Sequence, residues 1–77
     1  MTLSDWELAQ VTVDALRAHA DKIMSIERFD ARYVRAALAL RACAKAIEAV
    51  DPPFNAEQLQ ALVYAVAAGV DEILSNP

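Results

Sequence analysis

Thirteen consecutive residues, Gln58 to Val70 (QLQALVYAVAAGV), carry no charge inside a segment whose apolar residues otherwise recur at helical spacing. A helix that is apolar on nearly every side cannot be satisfied by one neighbour, so it belongs inside something larger. A chain of 77 residues has little interior to offer, since a domain of this size buries only about 60% of its unfolded surface. Small scaffolds offset that shortfall with disulfides, a metal or oligomerisation. The single cysteine, Cys43, excludes an intrachain disulfide, and the single histidine, His19, leaves no Cys/His set for structural zinc. Oligomerisation is the remaining route.

The segment before this run divides into two helices. Ser4-Asp5-Trp6-Glu7 is an S-x-x-E capping box, and Trp6, Ala9, Val13, Leu16, Ala20 and Ile23 follow at spacings of 3, 4, 3, 4 and 3. A second stripe, Leu8, Thr12, Ala15, His19 and Ile26, widens the apolar arc enough for two neighbours. Continuing the first seam in the same rhythm would bury Glu27, Asp30 and Arg41. Tyr33, Ala36, Leu40, Cys43, Ile47 and Val50 instead form a seam of their own, one residue out of phase. The phase slip places a break near Glu27 to Asp30, with Asp30 as the cap of the second helix.

Pro52 and Pro53 end that second helix, because proline cannot continue it and pushes the preceding residue out of the α region. Asn55 and Gln58 repeat the capping-box pattern for a third helix. There Leu59, Leu62, Val66 and Ile73 make a seam flanked by Val63, Val70 and Leu74. The expected fold is therefore all-α: one domain of three helices, at about 4–27, 30–50 and 55–75, in an up-down-up bundle completed by oligomerisation.

Charge is ordered along the chain. Five acids face Arg17 and Lys22 in residues 1–27, five bases face Asp30 and Glu48 in residues 28–48, and no base follows Lys45. Antiparallel neighbours with that order partly neutralise one another. The overall charge of −4 argues against nucleic-acid binding, which depends on a net basic face. The N-terminus has no basic region of the kind a secretory signal carries, and the longest uncharged run is far below the roughly 20 residues a membrane span needs. A soluble, cytoplasmic protein with no membrane role is expected, in keeping with a free thiol.

Catalytic chemistry finds little support. His19 and Cys43 lie on the apolar stripes of different helices, and His19 has Leu16, not Glu, three residues before it, so no Glu-x-x-His metal motif exists. With one glycine there is no phosphate-binding loop. No catalytic residue, metal or cofactor is assigned.

Two features suit a protein partner. On the third helix Ala61, Ala65 and Gly69 stand four residues apart beside Ala68, a smooth ridge for close helix approach, with Tyr64 as an aromatic anchor. Around the start of the second helix Arg28, Arg32 and Arg35 gather with Phe29 and Tyr33. Such a cluster holds an anion or an acidic partner, or pairs with acids of the neighbouring helices. The expected function is a noncatalytic interaction module, forming a homo-oligomer or docking on a protein target. The alternatives are a small inhibitor, such as one encoded by a mobile element, that blocks a larger machine, and a bundle that holds a small ligand.

Overall fold

The computed structural model describes residues 3–26 and 30–75. Three helices occupy them in order: α1, Asp5–Met24; α2, Ala31–Ala49; and α3, Ala56–Ser75. They form an all-α bundle in which α2 runs back between α1 and α3, so the two outer helices run the same way.

Each helix starts where its side chains satisfy the free N–H groups of the first turn. At α1 the Glu7 amide donates to the Ser4 hydroxyl at 3.2 Å and the Ser4 amide to the Glu7 carboxylate at 3.3 Å. The pair closes the box that the sequence announces. Asp30 caps α2 by accepting from the Arg32 amide at 2.9 Å. At α3 the exchange is between Asn55 and Gln58, at 3.0 and 2.8 Å. Caps of this kind contribute about 1 kcal/mol each.

One boundary differs from expectation. α1 ends at Met24 rather than near residue 27: the Ser25 amide closes a last helical bond, to the Asp21 carbonyl at 2.9 Å, and its hydroxyl donates back to the Lys22 carbonyl at 2.8 Å. A serine that bonds the preceding turn in this way competes with further helix. Ile26, assigned to the second stripe, consequently lies past the helix and is exposed.

The core is the meeting of α1 and α2. Ala9, Val13, Leu16, Ala20 and Ile23 of the first seam are buried, as are Ala36, Leu40 and Ile47 of the second. Trp6, which heads the first seam, is 63% exposed and borders a shallow opening at the end of the bundle with Gln10, Glu48 and Pro53. Ala36, Ala37 and Ala44 are fully enclosed, and their small side chains let the two backbones approach closely. Ion pairs run along the edge of the same contact: Arg17 with Glu48, and Arg41 with Asp21 at 2.9 Å. All four side chains are solvated, so these pairs align the helices more than they stabilise them.

α3 is held differently. It leans on α2 and scarcely meets α1, and among its residues only Leu59 and Val70 are fully buried. Leu62, Val66, Ile73 and Leu74 reach the core in part. Arg32 ties the two ends together, donating at 3.4 Å to the Leu74 carbonyl, one of the acceptors left free by the end of α3. The helix with the fewest charges and the highest mean hydropathy is thus the least buried of the three.

The outline reflects this. The radius of gyration is 13.2 Å, against about 11.5 Å for a compact chain of this length.

Candidate interaction surface

Because α3 does not close on α1, an open groove runs between them. Leu16, Leu40 and Val70 form its floor; Val11, Thr12, Ala15 and His19 line the α1 wall, and Val63, Val66 and Ala67 line the α3 wall. Its main section has a volume of ≈ 430 Å³. A second section of ≈ 340 Å³ continues toward the N-terminal ends of both helices, between Leu8 and Tyr64. The groove thus follows most of the length of α1 and α3.

Most of its lining comes from two sequence stripes. Leu8, Thr12, Ala15 and His19 were expected to contact a second helix of the bundle, but in the isolated chain only α2 covers α1 properly. Ala15 and His19 are exposed and Thr12 and Leu8 half-buried. The position of α3, displaced toward α2, leaves that stripe uncovered. Val11, which the sequence pattern places on no seam, is 56% exposed at the lip.

Polar groups are few there. The Thr12 hydroxyl donates to the Leu8 carbonyl at 2.7 Å, so it is engaged within its own helix. His19 and Asp71 stand at the far end. Cys43 is not part of the groove; it is half-buried on α2 against the core, where desolvation pushes its thiol above the ordinary range. His19 and Cys43 are therefore not assembled into a common cleft. Among the described residues no group of three or more His, Cys, Asp or Glu is placed to hold a metal ion, and no helix is long and apolar enough to cross a membrane.

The small-residue ridge lies on the outer side of α3. Ala61, Ala65 and Ala68 are exposed and Tyr64 is 67% exposed. A Cβ added at Gly69 would meet nothing within 4 Å. The ridge is therefore not an intrachain packing face, and neither α1 nor α2 uses the closeness that its small residues permit.

The arginine cluster is only partly a unit. Arg28 and Phe29 lie outside the described residues. Arg32 is engaged by the carboxylate of its own helix cap, Asp30, at 2.7 Å, and the bond and charge of that carboxylate raise the guanidinium's affinity for its proton. Its carboxylate partner thus stands two residues away, while the same guanidinium also reaches the Leu74 carbonyl of α3. Arg35 is exposed, and Tyr33 turns inward to pack on the core.

No family model, curated protein or solved structure matches this chain. The surface must be read from its own chemistry.

Proposed function

We propose that the protein is a noncatalytic interaction module whose α1/α3 groove receives an apolar helix from a protein partner. One observation carries this: the most apolar helix is the least buried, and its free flank and the free stripe of α1 form the two walls of a single trough. Helix-in-groove recognition needs such a trough, with apolar positions at i, i+3 and i+4 on both sides. Docking there completes the bundle.

A small apolar ligand is the second reading, favoured by a volume of ≈ 430 Å³, which falls within the usual range of about 300–1,000 Å³ for ligand sites. Such sites enclose most of their ligand. This one is open along its length, with Val11 exposed at the lip, and continues into a second section. A helix fits that shape better than a compact molecule.

The test compares tagged native protein with Ala67→Glu, in the groove, and Ala46→Glu, on the outer face of α2. Both alanines are exposed, so neither change disturbs the core. A second polypeptide, of whatever sequence, should be retained by the native protein and Ala46→Glu and lost with Ala67→Glu. Equal retention by all three, or retention by none, removes the groove as a protein-binding surface.

A further inference from the structure

Building on the groove as a helix receptor, we infer that its occupant is α3 of a second copy, each copy laying the free flank of its α3 into the other's groove about a two-fold axis.

Two stripes on the chain fit each other. At about 100° per residue, Glu57, Ala61, Tyr64 and Ala68 fall on one flank of α3, adjoining the groove wall, at spacings of 4, 3 and 4; all four are exposed. Val11, Ala15, Ala18 and Lys22 of α1, also exposed, repeat that spacing along the outer wall of the groove. Set antiparallel, Val11 meets Ala68 of the second copy, Ala15 meets Tyr64, Ala18 meets Ala61 and Lys22 meets Glu57. Apolar residues cover apolar ones, and the charges at the end are opposite. Set parallel, Lys22 would lie over Ala68.

The contact between the two α3 helices obeys the same arrangement. Gln60, Ala67 and Asp71 border the groove on the side toward the incoming helix. With the axis between Tyr64 and Ala67, the Gln60 amide of one copy reaches the Asp71 carboxylate of the other, and Tyr64 wedges between Ala15 and Ala67. Parallel helices would stack Asp71 on Asp71. A self-complementary patch of this kind is what an isologous dimer requires. It also gives a use to Ala61 and Ala68, which the isolated chain leaves exposed.

The area agrees. A compact monomer of 8.4 kDa exposes about 4,600 Å², whereas this chain exposes 5541 Å². Elongation, with extents of 41 × 23 × 20 Å, contributes part of the excess. The difference, roughly 900 Å², is surface that a compact fold would cover, and an interface of ordinary size, ~800 Å² from each partner, can be drawn from it.

The geometry separates two neighbouring alanines. Ala68 lies on the flank that enters the groove, while Ala65, equally exposed in the single chain, lies beyond it and stays in solvent. Light scattering behind a sizing column, across a dilution series of the full chain, should give twice the monomer mass. Ala68→Glu should weaken the dimer roughly thirtyfold or more, as loss of a central contact does, and Ala65→Glu by less than about threefold. Lys22→Glu and Glu57→Lys should each weaken it, and the double variant should recover it. Far-ultraviolet circular dichroism confirms that each variant is helical. A native monomer at every concentration overturns the inference, as does a dimer that Ala65→Glu and Ala68→Glu affect alike, or a double variant weaker than either single one. A monomer that nonetheless holds a different polypeptide, released by Ala67→Glu, replaces the second copy with that partner and leaves the receptor groove standing. A monomer that holds nothing removes both.

Discussion

Thr12 of α1 and Val63 of α3 both border the two sections of the groove, facing each other where packed helices would ordinarily interlock. Each is half-buried, resting on its own helix's core side with its other side open. Their separation marks the point at which the three-helix bundle stops short of closing. The contacts that α3 does make are mainly with α2. α3 follows α2, whose alanines draw α1 in tightly, and the Arg32 bond to the Leu74 carbonyl holds the end of α3 near the start of α2.

With closure incomplete, stability rests on the α1/α2 contact. Ile47 is 1% exposed, while Leu38 on the same helix is 57% exposed. Ile47→Ala should destabilise the fold by about 2–5 kcal/mol. Leu38→Ala should change it by no more than about 0.5 kcal/mol. Urea denaturation at equal protein concentration reads both; a similar loss in the two variants would show that α2 does not bury the face described.

Gly69 offers a gain. It has an ordinary helical backbone, without positive φ, and space for a Cβ. Gly69→Ala should therefore stabilise the protein by about 0.5–1 kcal/mol through helix propensity alone. Thermal melting should move upward. A downward shift would mean that the glycine is needed for a close approach absent from the single chain.

Cys43 should respond to pH in one direction. Burial raises its thiol pKa in the folded state, so the folded chain keeps the proton to higher pH than the unfolded one. Below the ordinary thiol range the two states hold it equally and stability is unaffected. As pH climbs into that range the unfolded chain ionises first, and the folded state loses stability. Alkylation of Cys43 at mildly alkaline pH should be slower in native protein than in urea, and Cys43→Ala should abolish the corresponding part of the pH dependence. Equal alkylation rates in the two states would contradict the burial.

The sequence alone determined the helices and most of what they bury. Ser4 with Glu7, Asp30, and Asn55 with Gln58 act within a few residues of one another, so their caps are legible without a fold. The 3, 4 rhythm from Ala9 to Ile23 names the buried face of α1 because helical geometry puts those residues on one side whatever packs there. The early stop at Ser25 was less legible, since a serine two or three residues from a break can either extend the turn or bond back to it.

Tertiary structure alone decided where α3 settles. Leu8, Thr12, Ala15 and His19 read as a second buried stripe, and Ala61, Ala65 and Gly69 as a ridge ready for a neighbour, because local periodicity records what a face is made of. Whether the face is covered depends on the angle and offset of a helix more than forty residues away. Those follow from the sum of many small packing contacts, most of them between α1 and α2, and α3 takes the position they leave. The same summation buries Val70 and exposes Tyr64 on one uncharged run, and so turns an apolar helix into a groove wall.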